Sequence, residues 1–380
     1  MLVQMHFLQN YAPSNLNRDD TNAPKDAFFG GVRRGRISSQ CLKRSIRRSP
    51  VFRAAFEADN LLGVRTRLLP ELVREALQAQ GADATAIEAI VRRVPEIGRE
   101  SAKRSAAREE EEGEAASPRK AESATRQLIF LNRDELPPLA QKLWQLYQRY
   151  GAKQWAKAKI EDITKELGAS LPRSVDIAMF GRMTTSSAFE DVQAAVQVAH
   201  AISTNALIQE SDYYTAVDDL SDEPGAGMIG DVDFNSNTYY RYLNVHWEQL
   251  LQNLGGDVPI ARKAVVVLLE AAAVAHPSGK QNAFAAFNLP DVILVEVMRD
   301  NLPVSYANAF LKPVRPSAER SLIDASVAQL GDYMNRVIPV YDLEAQRAYV
   351  ALQDDHQLPC AQRCASLRAL QGWLEERLPE

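Results

Sequence analysis

The chain has 380 residues, 46% of them hydrophobic and 24% charged, with a formal net charge of −5. That length and apolar content suit a soluble globular protein of one large or two to three smaller folded units. No run of 18 apolar residues occurs, Glu270 interrupting the nearest at Ala264 to Leu269, which argues against a membrane span, and three cysteines (Cys41, Cys360, Cys364) are too few for a disulfide framework.

In chain order, the opening MLVQMHFLQNYAP has neither a basic leader nor a small-residue cleavage site, so an intracellular, cytoplasmic location is the expectation. Val3, Met5 and Phe7 alternate with Gln4 and His6, and Gln9 lies nearer the polar face, which reads as a half-buried strand opening a sheet. A stretch rich in Asn, Asp, Pro and Gly follows from Tyr11 to Gly35, a loop too long for a simple connection and therefore suspect as functional. A helix begins after Ser38 and Ser39, either of which can accept from the orphan N–H groups of the first turn, and Leu42 and Ile46 give it an apolar stripe.

From Glu57 to Leu171 the composition turns to Ala, Glu, Arg, Lys and Leu with helical periodicity, which predicts a helical insert. Its charged middle, SAAREEEEGEAASPRKAESATR, carries too little apolar surface to pack. VDIAMFGRMTTS then reads as a strand ending in a Gly turn, and SAFEDVQAAVQVAHAIST as a helix. Pro224, Gly225, Gly227 and Gly230 lie between two runs of strand formers, which predicts a protruding hairpin. ARKAVVVLLEAAAVAH reads as a buried helix and DVILVEVM as a buried strand. The order suits a split βαβ sheet domain carrying large excursions.

The charge is unevenly spread. Residues 1–50 carry nine Lys and Arg against three Asp, a net +6 that leaves −11 for the rest, and no acid occurs between Gly30 and Phe56. On a helix starting near Ser39, Gln40, Lys43, Arg44 and Arg47 share one face at spacings of three and four, while Leu42 and Ile46 turn toward the sheet. The helix N-terminus adds its own preference for anions. Such a face suits phosphate, and nucleic acid is the commonest partner of such a patch.

In the preceding SNLNRDDTNAPKD, Arg18 and Lys25 accompany Asp19, Asp20 and Asp26. These acids could hold the arginines and cap turns, or hold a metal ion for phosphodiester hydrolysis beside an RNA groove. Met183, after Gly181 and Arg182, could be core filler or a wedge between bases with Arg182 on a phosphate. Tyr213 and Tyr214 on the expected hairpin could stack on bases without sequence choice. Other motifs fail on context. Gly225, Gly227 and Gly230 spell a dinucleotide fingerprint with no helix after them, and His356, Cys360 and Cys364 would form only a weak three-ligand set on a helical face.

The segments SNLNRDD…KDAFFGGVRRGRISSQCLKRSIRRS, VDIAMFGRM, AHAIST, YYTAVDDL, FNSNTYYRYLNV and GKQNAFAAFNLPD, taken in order, closely resemble the CasC family, the backbone subunit of the type I-E CRISPR surveillance complex Cascade. The resemblance implies an α+β fold: an RRM-like (ferredoxin-like) palm, a large helical fingers insertion and a protruding β-hairpin thumb. On this reading residues 1–56, 174–205 and 239–380 form the palm, the last piece with the C-terminal helices; 57–173 form the fingers and 206–238 the thumb.

It further implies a non-catalytic protein without metal or other cofactor, unattached to membranes. Its copies would stack head to tail along the CRISPR guide RNA, kink it periodically, and present the spacer for pairing with target DNA. Subunits of the CasA, CasB, CasD and CasE families would be its other partners. Carried over by position, Arg18, Lys25, Ser38, Gln40, Lys43, Arg44 and Arg47 would grip RNA phosphates. Arg182 and Met183 would sit under the RNA at the kink, and Tyr214 would press on the displaced position. Because spacers vary, such a subunit must read phosphate and ribose rather than bases. Two other readings stay open: a metal-dependent endoribonuclease backbone subunit using Asp19 or Asp20, as in related type III subunits, and a generic single-stranded nucleic-acid binder.

Overall fold

The structure, a computed structural model, describes residues 1–97, 125, 128–167, 174–184, 188–217 and 226–380. It is a mixed α+β fold that divides into two compact units, one built from Met1–Arg53, Val196–Glu248 and Val258–Glu380, the other from Ala54–Ala195 and Gln249–Asp257.

One sheet organises the first unit. Its central strands, Leu2–Ser14 and Ala226–His246, run antiparallel from the pair Leu2/His246 to the pair Ser14/Asn235. Beside the first strand lies Val292–Met298, then Gln346–Ala351 and Gln362–Arg363. Beside the long strand lie Val196–Val198 and Ala201–Ser203, and past the latter the hairpin of Asp26–Phe29 with Val32–Ile37. Counting Leu2–Ser14, Val196–Val198, Ala226–His246 and Val292–Met298 in chain order, their order across the sheet is fourth, first, third, second, all antiparallel. The helix Ser39–Arg48 follows the first of them and Val258–Val274 follows the third. The long strand also extends, with Gln209–Val217, into an antiparallel hairpin.

In the first strand Val3, Met5 and Phe7 alternate with Gln4 and His6 as the sequence indicates, but Gln9 falls on the Phe7 face, where Arg241 bonds it, and both faces are buried rather than one. Val3, Met5 and Phe7 are at most 1% exposed, and so are Gln4, His6 and Gln9. The turn Tyr306–Phe310 and the helix Leu322–Val340 supply apolar cover on the second face. Polar groups there satisfy one another, as burial requires. His6 Nδ1 shares a hydrogen bond with the Tyr240 hydroxyl at 2.8 Å and Nε2 with Glu296 at 3.0 Å, while Tyr306 donates to Glu296 at 2.9 Å and Arg347 pairs with the same carboxylate.

Other expectations change. Tyr11–Gly35 is not a plain loop: the first strand runs on to Ser14 and a hairpin fills Asp26–Ile37. Its turn uses Gly30 and Gly31 at φ +61° and +78°, and a Cβ on Gly30 would collide with the Leu311 carbonyl oxygen. Val175–Phe180 is a helix rather than a strand, with all six residues buried, so it has no polar face to betray its period. Residues 188–204 are not helical; they hold the strands Val196–Val198 and Ala201–Ser203. Nor do His356, Cys360 and Cys364 share a helix: Cys360 has φ +55°, Cys364 is buried, and His356 is paired with Asp324 at 2.8 Å.

The second unit packs the helices Leu69–Ala79, Ala84–Val91, Leu136–Trp155 and Ile160–Leu167 around Leu69, Val73, Leu77, Ile90, Leu143 and Trp155. It also holds an antiparallel ribbon, Gly63–Thr66 with Ile129–Asn132, which the helical reading of the insert lacks. The charged low-complexity stretch lies outside the described residues except for Thr125. No helix among the described residues is long and apolar enough to cross a membrane.

Candidate nucleic-acid interface

The cationic helix, Ser39–Arg48, starts where the sequence indicates. Ser38 is extended and its hydroxyl accepts the Cys41 N–H at 3.3 Å, while its own N–H goes to Asn17 Oδ1 at 2.8 Å. Ser38 is therefore a buried capping residue. Leu42 and Ile46 are buried at the i, i+4 spacing, with Gln40 and Arg44 exposed and Lys43 and Arg47 half-buried between. The first turn holds no acid, and Arg47 and Arg48 fill the last turn, where the helix dipole favours them.

The segment from Asn17 to Lys25 is tied to this helix through Asn17. Lys25 N–H closes it on the Asn17 carbonyl at 2.8 Å, and Arg18 and Pro24 form an isolated bridge. One oxygen of Asp19 accepts from the Thr21 N–H at 2.9 Å, the Thr21 hydroxyl at 2.8 Å and the Ala23 N–H at 3.1 Å. Those bonds, Thr21's first, hold the Asp19 carboxyl below its usual range. Asp26 pairs with Arg33. Among the described residues no group of three or more His, Cys, Asp and Glu side chains could hold a metal ion.

Lys25 reaches the helix electrostatically. Burial pushes the Cys41 thiol up, and Arg44 and Lys25 pull it the other way. Burial, then Arg36, Lys25 and Lys43, hold the His200 imidazole below its ordinary pKa. Lys25, Arg36, Lys43, Arg44 and His200 thus share one patch of the first unit. Arg36 and His200 carried no role in the sequence analysis; the signal for His200 was its place in AHAIST.

Not every cation of the basic stretch faces outward. Arg34 is fully buried and donates to four carbonyls: Ser203 at 3.0 Å, Thr204 at 2.8 Å, Phe310 at 2.7 Å and Leu311 at 3.2 Å. Arg182, expected on a phosphate, is likewise turned inward. Its Nη1 lies 2.9 Å from Glu135, its Nε donates to the Glu190 carbonyl at 2.9 Å, and only 4% of the residue is exposed. The sequence reading put that guanidinium on a phosphate; here it forms an ion pair buried within the second unit.

Met183, next in the chain, is 78% exposed. It follows Gly181, which ends the helix Val175–Phe180 at φ +80° with Val192 O close behind. On the hairpin, Tyr213 and Tyr214 pair with Asp231 and Gly230 and are 65% and 41% exposed. The Tyr214 phenol lies over Gly230, where a Cβ would strike it. The hairpin tip, residues 218–225, lies outside the described residues. The block GKQNAFAAFN packs Gly279 on the Asn15 and Leu16 carbonyls, directly before the Asn17–Lys25 segment.

A family model described as CT1975-like protein matches residues 3–375. The chain belongs to that family. Two solved structures resemble it throughout. A chain of a CRISPR RNA-guided surveillance complex, pre-nicking, is 30% identical over 100% of both chains with a TM-score of 0.79. A chain of a CRISPR RNA-guided surveillance complex is 26% identical over 99% of this chain and 100% of that one, with a TM-score of 0.70. No curated protein matches significantly. The resemblance read from the sequence, to a subunit of a CRISPR surveillance complex, is borne out at that level.

Proposed function

We propose that the chain is a non-catalytic backbone subunit of a type I-E CRISPR surveillance complex, Cascade, and that it grips guide-RNA phosphates along the helix Ser39–Arg48. The observation that carries this is the face itself: Gln40, Lys43, Arg44 and Arg47 with Lys25 alongside, no acid in the first turn, and a capped N-terminus. Such a surface binds phosphate without reading bases, which a subunit serving variable spacers needs.

The antiparallel order fourth, first, third, second, with a helix after the first and third strands, supports an RRM-like palm. The helical second unit fits the fingers and the exposed hairpin the thumb. On this reading copies stack head to tail along the guide beside the other Cascade subunits, Met183 wedges at a kink, Tyr214 presses on the displaced nucleotide, and target DNA pairs with the guide. A contact that does not close builds a filament, so RNA length sets the copy number.

The test is the salt dependence of guide-RNA binding for wild type and for the triple variant Lys43→Ala, Arg44→Ala, Arg47→Ala. Each lost phosphate contact flattens the log–log slope by about 0.7, so a drop of about two units, uniform across guide sequences, is expected. An unchanged slope would move the RNA path off this helix. The triple use of one Asp19 oxygen inside its own turn supports a structural role for that carboxylate, so target RNA should stay intact with magnesium present. Cuts at regular intervals that Asp19→Ala or Asp20→Ala abolished would make the subunit an endoribonuclease.

A further inference from the structure

The cationic patch contains a residue of different chemistry. His200, exposed in the turn between Val196–Val198 and Ala201–Ser203, lies against the start of the helix Ser39–Arg48. Two donors converge on its Nδ1: the Ser39 backbone N–H at 3.2 Å and Arg36 Nη1 at 3.3 Å. Two N–H groups aimed at one ring nitrogen need its lone pair, so the network assigns the neutral tautomer with hydrogen on Nε2. A proton added at Nδ1 would face both donors. Arg36 is itself held, through Nε on the Asp26 carbonyl at 2.9 Å. The charged groups acting on the ring are cations from three segments: Arg36 on the hairpin strand, Lys25 before it and Lys43 on the helix. They oppose protonation in the free protein.

We propose that His200 is a further ligand of the guide RNA, a neutral hydrogen-bond donor that offers Nε2–H to a backbone oxygen drawn in by Lys25, Lys43 and Arg44. This rests on the RNA-binding reading above and adds a residue to it. Lysines attract phosphate as flexible point charges and fix its position loosely. A ring clamped through Nδ1 offers one donor in one direction, which sets the register of the strand on the patch. Being neutral, it releases no counterion. Its loss should therefore weaken binding equally at all salt concentrations, unlike the loss of a lysine.

Asparagine and glutamine separate this role from a structural one. Asparagine keeps an acceptor near the Nδ1 position for Ser39 and Arg36 but has no donor at the Nε2 position; glutamine carries its amide out to that position. Binding of a labelled guide RNA to the full-length chain, measured across a salt series, should be about tenfold weaker for His200→Asn, with the wild-type slope. His200→Gln should recover most of that loss, and Lys43→Ala should flatten the slope by about 0.7. A 2′-deoxy guide of the same sequence identifies the oxygen: a loss that persists assigns phosphate, one that vanishes assigns the 2′-hydroxyl. Wild-type affinity for His200→Asn, with His200→Gln the weaker variant, would show that the ring only seats the helix start and would overturn the inference. A slope reduced as in Lys43→Ala would also overturn it, because it marks a charged ring. Either result leaves the RNA-binding reading standing. That reading falls if wild-type binding is independent of salt.

Discussion

The strand Val32–Ile37 and the helix Ser39–Arg48 are neighbours in the chain and carry three and four cationic side chains, but of the strand's three only Arg36 joins the patch of the helix. The strand's alternation sends Arg34 inward to a corner where four carbonyls meet, and turns Arg33 outward onto Asp26. The helical step instead gathers Lys43, Arg44 and Arg47 beside one another once Leu42 and Ile46 are committed to the core. The lesson is that a run of basic residues gathers into one cationic patch only where the surrounding backbone leaves the charged heads near the surface. Arg182 repeats the lesson in the second unit, spent on Glu135.

The comparison breaks or sharpens under mutation. The largest effect should come from Arg34→Met, which removes the donors to the carbonyls of Ser203, Thr204, Phe310 and Leu311 and should cost about 3–5 kcal/mol in denaturant unfolding. Arg34→Lys should recover little, since one ammonium cannot span that fork. A loss under about 1 kcal/mol would mean that burial of this arginine carries no weight. Arg182→Met should cost about 3 kcal/mol by stranding Glu135. The folded fraction should keep the wild-type salt slope for guide RNA, and a flatter slope would return Arg182 to the phosphate-binding set.

Tyr214→Ala should instead spare stability and weaken RNA binding by about 1–3 kcal/mol, with Tyr214→Phe close to wild type; equal binding by all three would remove stacking from the hairpin's role. Ser38→Ala should cost about 1 kcal/mol of stability through the lost cap, seen in the unfolding midpoint. The smallest effect is a pH dependence. Hydrogen bonds from Thr21 depress the Asp19 carboxyl in the folded chain, so its contribution is complete above the unfolded pKa and is lost as pH falls through the folded one. Stability of wild type relative to Asp19→Asn should thus be flat near neutrality and decline in acid. A difference that grew toward high pH would contradict the hydrogen-bond assignment.

Elements with one polar face were legible from local pattern. The helix Ser39–Arg48 announced its cap, its stripe and its cationic face, and two runs of strand formers announced the hairpin of Gln209–Val217 with Ala226–His246, although Gly227 and Gly230, read as turn signals, lie within the second strand. Val258–Val274 and Val292–Met298 were legible from length and apolar content. Where every side is buried, the pattern falls silent. Val175–Phe180 passed for a strand because six buried residues carry no period. The alanine-rich segment before Ser203 passed for a helix because its preference for strand comes from pairing with Tyr239–Val245, over 35 residues away.

The sequence by itself determined the family likeness, the main helices and strands, and a basic segment suited to phosphate. Only the tertiary structure decided which cations face water, that Gln4 and His6 lie inside, and that His200 joins the patch. The physical reason is that a charge or a ring nitrogen takes its role from the carbonyls, carboxylates and N–H groups around it. For Arg34 and His200 those partners come from segments more than 150 residues distant, beyond the reach of any local pattern.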